Sequence, residues 1–585
     1  MTRAWVAGLA LVSVVSSVVG QNQGPAVNDD LVGLWGSEAV LGPQVRGEFL
    51  LSRGIGTWTA RIGGFEVSAP AMGDSIRIEL PGGQGRFQGR QGRQSVRGFW
   101  IQPSGASYSF ASPLTLTPAG PNIWRGQVTP HEERFSLYLK VDRQTDGSLR
   151  GSFFNPEARW NGRAPWFKVG RDGENVTLTD PATNRVRFVQ PYDSGQGKIM
   201  MDFGVPFALT RRTPDQAVGF YPRPLATGPY RYRPPANRSD GLPTASAASV
   251  GVDSTKLDDL VQWIVATDPT GDRVPRIHSV LVARRGVLVL EEYFYGMSAD
   301  RPHDVRSAGK TLTSIMVGAA MRLGVPIGPS TRVASLFPAD SAALAAFPRR
   351  ANLTLGHLLT HSSGLACDDN SDESPGNEDR MQSQSEQPDW VRYALALPMV
   401  ADPGSRYAYC SAGINLAGGM VSRATRRWLP EFFDTEIARP LGFGEYHWNL
   451  APDGQGYAAG GGYIRPRDLL KLGLLYLNRG VWNGRRLVSE AWVTESTGHQ
   501  IDVSPESSDG FAWHRYQLSH GGRQYREYEA SGNGGQFVIV IPDLELVVVF
   551  TAGNYNQYPV WRTFRDQLVP QYLIAAIGPD PRRRR

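Results

Sequence analysis

The chain reads as an α+β domain preceded by an all-β domain, a barrel or a sandwich, and three observations divide it that way. From about Leu31 to Thr210, short alternating stretches such as "GTWTARI", "DSIRIEL", "FSLYLKV" and "NVTLTD" are broken by glycine-rich turns, the pattern of antiparallel strands. Next, "DSTKLDDLVQWIVATD" puts Leu257, Leu260, Val261, Ile264 and Val265 on one helical face behind an Asp/Ser cap. Finally, "SVLVARRGVLVLEEYF" and "FVIVIPDLELVVVF" read as apolar hairpins near the two ends of the second region. Terminal segments that share one sheet around a long helical middle make an α+β domain.

Taken in order, residues 1–20 have one positive charge, an apolar run from Ala4 to about Gly20 and small residues before Gln21, the features of a cleaved secretory signal. Ser13, Ser16, Ser17 and the glycines weaken the rival reading, an uncleaved anchor. No other segment is long and apolar enough to span a bilayer, so a periplasmic or secreted protein is expected. Residues 21–212 form the antiparallel β domain. Residues 213–245, rich in proline and arginine without periodicity, read as a linker. Residues 246–578 form the α+β domain, whose middle holds the amphipathic "RDLLKLGLLYLNRG", and 579–585 are a basic, solvated tail.

At 585 residues the chain has room for two or three cores. Its formal charge of +6 is almost wholly arginine, but no basic and aromatic stretch on a recognisable binding module accompanies it, so nucleic acid is not an expected partner. Only six lysines occur: Lys140, Lys168, Lys198, Lys256, Lys310 and Lys471. Of these, only Lys310 has a serine three residues before it, in "DVRSAGKTLTS".

That spacing puts Lys310 on the helical face of Ser307, near a helix start that favours developing negative charge. A serine hydroxyl needs a base, and a lysine can serve if burial or neighbouring positive charge lowers its pKa, which the apolar "LTSIMVGAAM" suggests. An N-cap serine beside a surface lysine is the plain alternative. A second segment, "PGSRYAYCSAGINLAGG", presents Tyr409 and Ser411 on a turn before an apolar helix, and a phenol beside an ammonium can relay protons. In a third, "YEASGNGGQFVIVIPD", the glycines after Ser531 let a substrate lie against a strand edge. The backbone N–H of Asn533 could then join that of Ser307 as an oxyanion donor.

These three segments, in this order, resemble the serine β-lactamase and penicillin-binding protein superfamily, in the class C-like branch with aminohexanoate-dimer hydrolases and family VIII carboxylesterases. The likeness covers about residues 245 to 575: Ser307-x-x-Lys310, Tyr409-Cys410-Ser411 where the family has Y-x-N, and Ala530-Ser531-Gly532 where it has K-T-G or H-x-G. "LTLGHLLTHSSGL" and "GGGYIRPRDLLKLGLLYLNRGVWNGRRLV" are further landmarks. The resemblance implies a β-lactamase/transpeptidase-like fold, acylation of Ser307, general acid/base work by Lys310 and Tyr409, and an oxyanion hole at the Ser307 and Asn533 amides. Ser411, Ser531 and Gly532 would line the substrate. Two departures, Ala530 without a cation and the short Ser411, argue against β-lactams and for esters, amides or small peptides. His520, Arg523 and Arg526 are candidates to restore the charge.

The expected activity is therefore an exported serine hydrolase. A β-lactamase or DD-peptidase, and a non-catalytic cell-wall-binding relative, are the alternatives. G-x-S-x-G and H-E-x-x-H are both absent. His357 and His361 lack a third ligand. Asp368, Asn370 and Asp372 open like a calcium loop but lack its glycine, and Asp379 stands at the twelfth place, so no metal or cofactor is expected. Of two readings of the cysteines, paired or free and buried, a Cys367–Cys410 disulfide tying the acidic loop beside Tyr409 is the expectation.

Overall fold

The computed structural model describes residues 28–103, 109–157, 166–202, 206–223, 228–271 and 273–577. The signal segment 1–20 and the tail 579–585 lie outside the described residues.

The N-terminal β region divides into two structures. Gly33–Leu41 pairs not with the next strand but with Glu133–Arg143. Six further strands, ending with Pro206–Arg212, return to Gly33–Leu41 and close an eight-stranded barrel. Closure removes its free edges. Alternate residues turn inward, and Trp35, Leu137, Leu139, Phe153, Phe167 and Ile199 are among those that fill it. The eight strands between Gly47 and Val128 belong to a second sheet with its own core, which includes Phe49, Trp58, Phe87 and Trp100.

That second sheet does not stop at the domain boundary. Ser109–Gly120 pairs with Tyr446–Leu450, which pairs with Gly462–Ile464, which pairs with His303–Asp304. The N-terminal region is thus continuous, through backbone hydrogen bonds, with the strand that runs directly into Ser307. It is a brace for the second domain.

Among the described residues of 213–245 there is no strand, but they are fastened to the second domain. Tyr232 Oη donates to the Val289 carbonyl at 2.8 Å, and Asp240 accepts from the buried Arg467 at 2.9 and 3.0 Å. The proline-rich composition that suggests a free linker therefore describes an irregular strap.

In the second domain the helix Ser254–Val265 is capped by Asp253, which accepts from the Thr255 amide at 2.9 Å, and buries Leu257, Leu260, Val261 and Ile264. Its eight-stranded antiparallel sheet runs in the order 287–293, 277–284, 546–552, 536–541, 523–532, 514–520, 507–509 and 501–504. Both terminal hairpins lie in it, and the Arg285–Gly286 turn has positive φ at both residues, as a two-residue hairpin requires. One face packs on Ser254–Val265 and the C-terminal helix, the other on Pro466–Leu477 and the helical middle. Among the described residues no helix is long and apolar enough to cross a membrane.

Four buried histidines line the seam where the second sheet meets this domain. His278 Nδ1 lies 2.8 Å from His303 Nε2, His447 Nδ1 lies 2.7 Å from Ser112 Oγ, and the His131 ring packs 3.9 Å from that of Tyr463. Burial holds His303 down at about 4 and holds His131 and His278 well below the ordinary imidazole range. These groups are depressed on folding, so their stability contribution is present above pH 6.5 and lost as pH falls toward 4. His303 alone contributes roughly 3 kcal/mol across that window. Urea midpoints should therefore drop between pH 6.5 and 5, above the range of most carboxylates; a flat midpoint there would contradict neutral burial.

Candidate active site

Ser307 lies in a 3₁₀ turn, Arg306–Gly309, that leads into the helix Lys310–Arg322. The residue before it, Arg306, is a non-glycine residue with φ +48°. Such strain persists only where neighbours fix it. Asp304 does so, accepting a hydrogen bond from the Arg306 amide at 3.0 Å and forming an ion pair with its guanidinium at 2.7 Å, while Tyr555 lies 4.7 Å beneath the guanidinium. Glycines let two other chains approach the turn. A Cβ at Gly460, where φ is +135°, would lie 2.5 Å from the Arg306 carbonyl, and one at Gly532 would lie 2.6 Å from that of Val305.

Lys310 is 3% exposed, and its ammonium donates to Ser307 Oγ at 3.0 Å and to the Ala459 carbonyl at 2.8 Å. It also sits 4.9 Å from the centre of the Tyr409 ring, and both Lys310 and Ser307 act on the Tyr409 phenol to lower its pKa. The three side chains therefore meet. Ser307 and Tyr409 are both half-buried, open on one side.

The electrostatics differ from the expectation for a lysine base. Burial pushes Lys310 down, but Tyr409, Glu378 and Asp369 together push it further up, so it lies above its ordinary value. Burial also raises the Tyr409 phenol, and Lys310 and Ser307 bring it only part of the way back. At neutral pH both groups hold their protons. The apolar helix buries Lys310 as anticipated, but its anionic neighbours outweigh that burial.

The third segment is the end of the strand Arg523–Gly532, with Ser531 and Asn533 half-buried and Gly532 against the turn that holds Ser307. Asn533 is fixed through its side chain, which donates to Asn556 Oδ1 at 2.8 Å and accepts from the Asn556 amide at 2.7 Å. Ala530 faces away into an apolar pocket lined by Ala308, Leu312, Trp513 and Val538. Ser411 corrects the reading of it as a substrate contact: it is fully buried, and its hydroxyl makes no hydrogen bond among the described residues. Arg523 and His520 pair at the hairpin end, the far end of a ten-residue strand about 30 Å long, so neither replaces a cation at Ala530.

Cys367 and Cys410 form a disulfide across a sequence separation of 43. The acidic loop it tethers is not simply solvated: Asp369 Oδ2 accepts from the Ser411 amide at 2.7 Å, and the Asp369 amide donates to the Tyr409 carbonyl at 2.8 Å. A closed loop of this length stabilises by about 4 kcal/mol through the entropy of the unfolded chain. Urea unfolding with and without reductant should differ by several kcal/mol; equal midpoints would contradict this.

Other groups beside the site carry weaker sequence signals. His361 stacks 4.5 Å from Tyr409 and accepts from the Cys410 amide at 3.0 Å, and burial lowers it to about 3. It is a neutral support, and His357, four residues earlier, instead caps its own helix with Thr354. His514 lies 6.5 Å from Tyr409, held by Asp509 at 2.8 Å. Only strand register places it there, opposite Glu529, two residues before Ser531.

Residues 277–564 match the family model described as Beta-lactamase. Monacolin J acid methylbutanoyltransferase of Aspergillus terreus is 33% identical over 168 residues, 26% of this chain and 40% of that protein. The 6-aminohexanoate-dimer hydrolase of Paenarthrobacter ureafaciens is 25% identical over 272 residues, 44% of this chain and 64% of that protein. The chain thus spans about two fifths of the length of the first of these relatives. Among solved structures, a penicillin-binding protein homolog from Caulobacter crescentus is 16% identical, with a TM-score of 0.43, over 55% of this chain and 97% of that one.

Proposed function

Through residues 277–564 the chain belongs to the Beta-lactamase family, in the serine β-lactamase and penicillin-binding protein superfamily, and on that premise we propose a serine hydrolase that acts on small esters or amides through a Ser307 acyl-enzyme. The observation that carries this reading is the 3.0 Å contact from the buried Lys310 ammonium to a half-buried Ser307 hydroxyl, with the Tyr409 ring 4.9 Å from the same ammonium. Ser307 Oγ attacks the substrate carbonyl, and its proton passes to the Tyr409–Lys310 pair. The Ser307 and Asn533 amides hold the oxyanion. The leaving alcohol or amine takes the proton as its bond breaks, and water then attacks the ester by the reverse route.

Ala530 disfavours penicillins. Its apolar surroundings offer no counter-charge for a cation that would bind a substrate carboxylate. An alcohol could replace water as acyl acceptor, a second reading that rests on the matching methylbutanoyltransferase. The disulfide supports a compartment outside the cytoplasm.

The test is a fluorophosphonate probe applied to the wild type and to Ser307→Ala, followed by turnover assays over esters, amides and β-lactams with and without an alcohol acceptor. A single adduct mapped to Ser307, with ester or amide turnover, is expected. A wild type that neither labels nor turns over substrate would overturn the reading and leave a binding role.

A further inference from the structure

Lys310 is a buried cation that makes no hydrogen bond to a carboxylate among the described residues; its ammonium donates to Ser307 Oγ and the Ala459 carbonyl and lies 4.9 Å from the centre of the Tyr409 ring. A buried charge without compensation is costly, and compensation at a short distance also orients it. The side chain at 411, next to the Tyr409–Cys410 pair, cannot supply it, being an uncharged hydroxyl that is fully buried. The acidic loop can.

Asp369 is two residues beyond Cys367, and the disulfide joins Cys367 to the residue after Tyr409. Three backbone contacts then fix it. Its amide donates to the Tyr409 carbonyl at 2.8 Å, Oδ2 accepts from the Ser411 amide at 2.7 Å and Oδ1 accepts from the Glu378 amide at 2.9 Å. Glu378, in turn, is anchored by the Tyr457 hydroxyl at 2.5 Å. Two partly buried carboxylates are thereby fixed, Asp369 against the backbone of the Tyr409–Ser411 segment and Glu378 against Asp369. Resting on the acyl-enzyme reading above, we propose that Asp369 is a positioning residue of the acylation centre: with Glu378 it is the counter-charge of the Lys310–Tyr409 pair, delivered by the disulfide-tethered loop.

Burial first, and then repulsion from Glu378, hold the Asp369 carboxyl at about 6, while Lys310 and the Ser411 amide oppose the rise. Asp369 is therefore anionic at pH 7 and above. In that state its charge raises both Lys310 and Tyr409. Removing it must lower the pH at which the pair gives up a proton, and a role in loop folding alone would not.

The experiment measures the second-order rate of fluorophosphonate labelling of the full chain from pH 6 to 10.5. Asp369→Asn keeps an acceptor and loses the charge. Glu378→Gln removes the second charge, and Glu373→Gln removes a charge from the same loop at a side chain 95% exposed. The wild type should still be climbing at pH 10. D369N should level off on the order of one unit lower, E378Q should move the same way, and E373Q should keep the wild-type profile. Thermal melts identify any variant that fails to fold, and E378Q keeps the test open if D369N is one of them. A labelled wild type with unmoved D369N and E378Q midpoints overturns this inference alone. A wild type unlabelled at every pH overturns the acyl-enzyme reading beneath it.

Discussion

Ser307→Ala is expected to lower kcat/KM for an ester substrate by about 10⁴-fold or more, because it removes the atom that bonds to the substrate rather than one that tunes it. The proposed oxyanion donors are backbone amides and survive the change, so a residual rate above the uncatalysed one should remain. Stability should hardly move. Ser307 is half-buried, its Oγ is a partner of Lys310 rather than of the core, and the turn around it is fixed by Asp304 and by the close glycines 460 and 532. Steady-state kinetics and urea midpoints on the same preparation check both halves. A variant that is folded and retains more than about a tenth of the activity would place the nucleophile elsewhere.

The reason so much of this centre was legible in the chain is that its first contact is local. A serine and lysine three apart must share a helical face, and the turn Arg306–Gly309 running into Lys310–Arg322 carries that spacing directly into a 3.0 Å contact. Tyr409 and the 530–533 segment were legible as types of chain, a turn before an apolar helix and a glycine-rich strand end, but not as neighbours. Asp369 belongs to a different category. Its role depends on a disulfide closing 43 residues and on backbone bonds to Tyr409 and Ser411, none of which leaves a periodic trace. The proton state of Lys310 is not legible in the chain for the same reason: burial lowers it, but Tyr409, Glu378 and Asp369, distant in sequence, raise it.

The β region shows the same division. Alternation reads out strands because side chains alternate faces with a period of two. It says nothing about partners. Gly33–Leu41 closes a barrel with strands about a hundred residues away, and Ser109–Gly120 finds its partner at Tyr446–Leu450. That last pairing ties the N-terminal region to the second domain: its sheet continues through Tyr446–Leu450 and Gly462–Ile464 to His303–Asp304, two residues before the strained Arg306.

Replacing Lys310 by methionine, or Tyr409 by phenylalanine, should each lower kcat/KM by about 10²- to 10⁴-fold, and the double variant should be little worse than the poorer single one. The non-additivity follows from the arrangement: Lys310 contacts Ser307 and the Tyr409 ring, and Lys310 and Ser307 both act on the Tyr409 phenol, so either loss disables the same proton path. The pH dependence carries the sign. Both groups lie above their ordinary values, so both are protonated at neutrality and one proton must leave before the pair can accept that of Ser307. In the wild type log(kcat/KM) should therefore climb by about one per pH unit from pH 7 toward 9. Methionine at 310 removes the ammonium that pulls the phenol down, so in that variant the climb should begin at higher pH; phenylalanine at 409 leaves Lys310 without its strongest upward influence, so there it should begin lower. Opposite displacements from two variants of similar size separate a shared proton-accepting pair from two independent supports, which would lower the rate and leave the profile in place.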